Sequence, residues 1–130
     1  MEKIKLLLQQ LEQALNKLKD AFKLKNEEIV RDGTIQRFEF TFELSWKLMQ
    51  RINNFYGIET NSPRQVIKKA FKEKIISDNA LWLESLECKN IIAHTYGEDM
   101  ALKIYSSIKN FVPFFEELII NVKGILNEEK

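Results

Sequence analysis

Apolar residues return at every third or fourth position along most of this chain, and that rhythm limits it to a bundle of helices. Across positions 3–25 the set is Ile4, Leu7, Leu8, Leu11, Leu15, Leu18 and Phe22, with Lys and Gln filling the other side. Steps of three and four line such residues along one stripe of an α-helix. The stripe is too short for a long coiled coil, so it is expected to pack on helices of the same chain.

The rest of the chain reads the same way. Asp32 or Thr34 is expected to cap a second helix, after a turn loosened by Gly33, and Gly57 to end it beyond Phe55. Its apolar residues Ile35, Phe38, Phe40, Phe42, Leu44, Trp46, Leu48, Met49, Ile52 and Phe55 cover most of its circumference. Such a helix belongs in the centre of a bundle or at an intersubunit surface. Ser62-Pro63 is a start signal, an N-cap followed by Pro at the first helical position. It predicts a short third helix over 63–74, with Val66, Ile67, Ala70 and Phe71 inward. Arg64, Lys68, Lys69 and Lys72 fall on the other side as a basic strip, either a solvated face or a place for phosphate or an acidic partner. Ser77 or Asp78 caps a fourth helix carrying Leu81, Trp82, Leu86, Cys88, Ile91 and Ile92, ending near His94 with Gly97 as breaker. The fifth starts at Glu98 or Asp99. Pro113 is expected to kink or interrupt it, and a charged tail closes the chain at 128–130.

The expected fold is therefore all-α, one domain over 1–130. It is an antiparallel up-and-down helical bundle of four main helices, with one short connecting helix and a Pro-kinked last helix. The second helix and the Pro113 region carry more apolar surface than a monomer of this size needs, which predicts a homodimer.

Composition removes several function classes. Twenty Lys and Arg against 19 Asp and Glu give no general field for nucleic acid. One Cys and one His make no closed zinc set and no disulfide within the chain. There is no Gly-rich phosphate loop either, so no metal and no cofactor is expected. The N-terminal MEKIKLLLQQLEQAL lacks a signal peptide's apolar run. No stretch approaches the roughly 20 apolar residues of a membrane span. A cytoplasmic setting without membrane contact is the expectation.

One cluster stands out. Lys89, Asn90, His94 and Tyr96 fall within one and a half helical turns and the turn that follows, and His94 is the only histidine. Asn90 and His94, four apart, share a helical face. The plain reading is that these residues close the helix. The chemical reading is a site, since His exchanges protons near neutral pH and a phenol can donate, accept or be modified. RNA cleavage needs a base near a ribose hydroxyl and a cation on the phosphate, which His94 and Lys89 supply in outline. One His cannot easily be both base and acid, but a dimer would bring two.

The phrase RDGTIQRFEFTFELSWKLMQ (31–50), together with NIIAHTYGED, resembles the nucleotidyltransferase substrate-binding proteins of the HEPN superfamily. The resemblance covers nearly the whole chain. It implies a small dimeric helical bundle that associates with a separately encoded minimal nucleotidyltransferase. Related HEPN proteins are toxins that cut RNA through an Arg-x4-6-His motif. Their nucleotidyltransferase partner acts as antitoxin by adenylating a Tyr in Arg-x4-His-x-Tyr. By position the resemblance places Lys89 at the Arg, Asn90 after it, His94 at the His and Tyr96 at the acceptor. Lys89 keeps the charge but lacks the planar fork that grips phosphate, which weakens the nuclease reading and leaves His-x-Tyr intact.

Within the same phrase Glu39, Glu43 and Lys47 form a polar stripe at four-residue steps. It is either a surface ion-pair row or a source of carboxylate for Lys89 or His94. Arg37 is either solvated or aimed at a partner or a nucleotide phosphate. The leading expectation is a non-catalytic subunit that docks a nucleotidyltransferase and either contributes to binding its substrate or is itself nucleotidylated at Tyr96. The alternative is a metal-independent ribonuclease toxin using His94, and a third is a purely structural bundle.

Overall fold

The computed structural model describes residues 1–128 and is helical throughout its regular structure. The five helices are α1 (Glu2–Ala21), α2 (Glu28–Phe55), α3 (Pro63–Lys72), α4 (Asn79–Ile92) and α5 (Glu98–Glu128). Setting aside short α3, each main helix runs antiparallel to the one before it. α2 is central and touches all four others. Two ends result. One carries the α1–α2 and α4–α5 connections, and the other the turns that flank α3. The tail beyond Glu128 lies outside the described residues.

The core is aromatic where α2, α4 and α5 meet. Phe38 has ring centroids 6.1 Å from Phe42, 5.8 Å from Phe111 and 6.3 Å from Phe115. Trp82 of α4 stands edge-on to Phe115 at 5.3 Å. Rings at these separations add to the burial term that dominates folding. Leu11, Leu18, Leu48, Ile52 and Leu118 complete the interior.

Ser62 accepts the backbone N–H of Gln65 and Asp78 that of Leu81, so both helix starts capped by side chains follow the expected pattern. Gly57, with φ 78°, ends α2, and Ile58 N–H closes the turn onto the Asn53 carbonyl at 2.8 Å. The turn after α3 does the same with Lys74 at φ 61°, a left-handed conformation that costs a side chain some strain. The Glu117 carboxylate accepts Ser77 N–H and Oγ–H at 3.0 and 2.7 Å and ties this turn to α5.

Four expectations change. α2 begins at Glu28, one turn before Asp32, so neither Asp32 nor Thr34 is its cap. Thr34 is buried, and its hydroxyl instead donates back to the Val30 carbonyl at 2.7 Å. Gly33 lies inside the helix, a cost of about 1 kcal/mol relative to Ala that burial elsewhere on α2 offsets. α5 continues through Pro113 without interruption. Pro113 is on the exposed side, where water reaches the carbonyl left without a donor. Phe71 does not face inward and is 43% exposed. Finally, α4 ends near His94 as expected but stops at Ile92, so His94 lies in the connection and does not share a helical face with Asn90.

Cys88 is buried on α4. Burial, with the Glu84 and Glu87 carboxylates adding to it, pushes its thiol up from 9.0 to about 11. The native state therefore favours the neutral thiol. That contribution is complete below pH 9.0 and is lost as pH rises through about 11. Melting temperatures of wild type and Cys88→Ala measured across this window should converge at its upper end. Parallel curves would contradict the assignment.

Candidate functional site

Of the charged and polar residues singled out in the sequence, Glu43, Lys47 and Lys89 come together where α4 crosses α2, and Tyr96 lies in the α4–α5 connection within the influence of Asp32 and Glu39. Asp32, Glu39 and Glu43 recur at seven and four residues, so they fall along one stripe of α2. That stripe faces the end of α4. The Glu43 carboxylate is a hub: Trp46 Nε1 donates to Oε2 at 3.0 Å, Lys47 Nζ stands 3.6 Å from Oε1, and Lys89 Nζ stands 4.0 Å from Oε2. Both readings of the polar stripe have a contact at Glu43: the row along the helix with Lys47 and, at longer range, the cross-bundle pair with Lys89. Both side chains are about one-third exposed, so the pair is worth at most about 1 kcal/mol. Its consequence is orientation, since it holds the Lys89 ammonium over α2.

His94 and Asn90 are exposed, and Tyr96 is half-buried with its ring against the core. Burial raises the Tyr96 phenol above its ordinary value, and the carboxylates of Asp32 and Glu39 raise it further. Both carboxylates thus act on the phenol, although only Glu39 was singled out in advance. A negatively charged wall disfavours the phenolate, so a reaction at Tyr96 Oη needs a base to take its proton.

One further residue frames this end. Arg31 is almost buried, its side chain 12% exposed, and it donates to Asn26 at 3.0 Å and to Glu98 at 3.4 Å. It thereby fastens the α1–α2 connection and the first turn of α5, two residues beyond Tyr96, to the start of α2. Sequence reading missed it because the helix start had been placed after it.

Arg37 is elsewhere. Its Nη1 donates to the Lys17 carbonyl of α1 at 2.7 Å, and it lines an open hollow of about 500 Å³ with Ala14, Lys17, Gly33, Gln36 and Phe40. It therefore does not join Lys89 and His94. Among the described residues no group of three His, Cys, Asp or Glu side chains is placed to hold a metal ion. Among the described residues no helix is long and apolar enough to cross a membrane.

This architecture has relatives. A family model described as nucleotidyltransferase substrate binding protein like matches residues 4–123. The chain is 32% identical over 85 residues to a Haemophilus influenzae protein described as probable ribonuclease HepT, a match covering 62% of this chain and 58% of that one. It thus spans less than two thirds of that relative. A crystal structure from Thermus thermophilus superposes with TM-score 0.72 at 34% identity, covering 89% of this chain and 98% of the other. A second, from Haemophilus influenzae, superposes with TM-score 0.70 at 24% identity, covering 94% and 98%. It was described as revealing the fold of a substrate binding domain of a nucleotidyltransferase, and at that identity the likeness is one of fold.

Proposed function

Since the chain belongs to the nucleotidyltransferase substrate-binding protein-like family, we propose that it is the non-catalytic subunit of a two-component nucleotidyltransferase and is itself nucleotidylated at Tyr96. The observation that carries this reading is the setting of Tyr96. It lies in the connection after α4, next to solvent-facing His94, with its ring packed on the core. In the proposed step Tyr96 Oη attacks the α-phosphorus of a nucleoside triphosphate, pyrophosphate leaves, and a base of the partner enzyme takes the phenolic proton. The triphosphate and its magnesium are held by the separate nucleotidyltransferase. In this reading the pair forms a toxin–antitoxin-like system. Sedimentation of the chain mixed with the minimal nucleotidyltransferase encoded beside it should give a complex. Independent sedimentation of the two would contradict the partnership.

The ribonuclease reading has one observation in its favour, the 32% identity to a probable ribonuclease. Against it, Lys89 offers a single ammonium, already beside Glu43, where the motif calls for a guanidinium fork. Incubation of the chain alone with RNA should leave the RNA intact. Cleavage abolished by His94→Ala would reverse the ranking.

The proposal includes a homodimer. Phe40 of α2 is 61% exposed and stands over the α1–α2 hollow, the apolar excess that the sequence indicated for this helix. Light scattering at roughly tens of micromolar protein should report a dimer. Phe40→Lys should give a monomer that keeps its helical circular dichroism and has lost the concentration dependence of its unfolding. A wild-type monomer would count against the dimer.

A further inference from the structure

We propose that the outer face of α3 is a docking strip for single-stranded nucleic acid, separate from the α4–α5 connection. Val66, Ile67 and Ala70 are fully buried and seat α3 on α2 and α4. On the opposite side Arg64, Lys68 and Lys72 follow at four-residue steps, with Lys69 flanking them. Four helical residues rise about 6 Å, so the row sets out a cation about every 6 Å. None of these four cations has an ion pair among the described residues. Lys3, Lys17, Arg51, Lys74 and Lys103 also lack one, so what sets the α3 cations apart is their succession along one helical face.

Phe71 supplies the second feature. It is three residues after Lys68 and seven after Arg64, so its 43% exposed ring lies in the same row as the cations. Beside the row is an open hollow of about 380 Å³, lined by Thr60, Asn61, Gln65, Lys68, Lys69, Lys72 and one carboxylate, Glu59. The Gln65 carbonyl accepts Asn61 N–H at 3.0 Å, which leaves its amide NH₂ to donate.

Cations and a ring together select the class of ligand. A lone phosphate would use one or two of the cations and leave Phe71 idle. An acidic protein helix would match the cations, but would need an apolar side chain set among its carboxylates to use the ring. A single strand offers a phosphate and an unstacked base face in every nucleotide, whereas a duplex hides those faces. With a net charge of +1 the chain has no general field to hold a polyanion, so binding depends on this strip.

The test is fluorescence anisotropy of a labelled oligoadenylate of about 12 nucleotides with the full chain, titrated across salt. Wild type should bind with an affinity that falls as salt rises. Lys68→Gln/Lys72→Gln should reduce the slope of log affinity against log salt by about 1.4, the value for two single-strand phosphates. Phe71→Leu should weaken binding about tenfold and leave the slope unchanged. Lys3→Gln/Lys5→Gln, with the same charge change on α1, should behave as wild type, and melting curves should show that all are folded. Absence of binding at low salt, equal loss in the α1 control, or dependence on His94 in place of α3 overturns the proposal. So does displacement of the strand by polyglutamate at equal charge concentration together with no effect of Phe71→Leu, which would assign the strip to an acidic protein.

Discussion

Phe38→Ala is expected to lower the unfolding free energy by about 3–5 kcal/mol, the range for truncating a buried aromatic. Phe38 has no exposed surface and its ring meets those of Phe42, Phe111 and Phe115, so α2 and α5 lose contacts on both sides of the cavity. Its neighbours sit on two long helices that cannot collapse into the gap without shifting their other contacts. Since small domains are stable by only about 5–15 kcal/mol, the variant should unfold at much lower urea and lose a large share of its stability margin. Urea titration followed by Trp fluorescence measures the change, with Phe40→Ala as comparison. Two positions along and 61% exposed in the single chain, Phe40 should tolerate truncation within about 0.5 kcal/mol when both titrations are run dilute enough for the protein to be monomeric. Equal costs at the two positions would contradict the placement of the core.

That pair also shows why the fold was legible where it was. From Phe38 to Leu48 the apolar residues alternate strictly, a pattern that by itself suits a strand. In the helix the alternation cannot keep one face. Phe38, Phe42, Leu44 and Leu48 are buried, Trp46 is half-buried and Phe40 is left outside. The flanking three- and four-residue steps carry the helical information, and the excess at Phe40 is what marked α2 as oversupplied. Helix ends were less legible. Asp32 and Thr34 have the chemistry of caps, but a side chain cannot declare whether its hydroxyl serves an N-terminus or bonds back to a carbonyl four residues earlier. Thr34 does the latter. Pro113 and Phe71 depended on exposure, which periodicity over a short helix leaves undetermined.

At the candidate site, the polar stripe on an apolar helix drew attention to Glu43 because it is a local pattern, but which of Lys89 and His94 it would face, and that His94 falls beyond the helix carrying Asn90, were not legible. The contacts of Arg31 with Glu98, and the influence of Asp32 on Tyr96, join residues more than 60 positions apart. Nothing local encodes them. Arg37 shows the converse: it shares a phrase with Glu39 and Glu43 but points to α1, because side chains two and six residues away on a helix face other directions.

Tyr96→Phe is expected to abolish nucleotidylation, since it removes the one oxygen that the proposed step uses while keeping the ring that packs on the core. Asp32→Asn should act in the opposite sense. Removing a carboxylate that holds the phenol up lowers the phenol toward its ordinary value, which should speed the reaction wherever proton removal limits it. The most direct measurement is intact mass after incubation with the cognate nucleotidyltransferase, magnesium and ATP. The account predicts one or more added adenylates on wild type and none on Tyr96→Phe. An unchanged wild-type mass, or equal gain by both proteins, would contradict it.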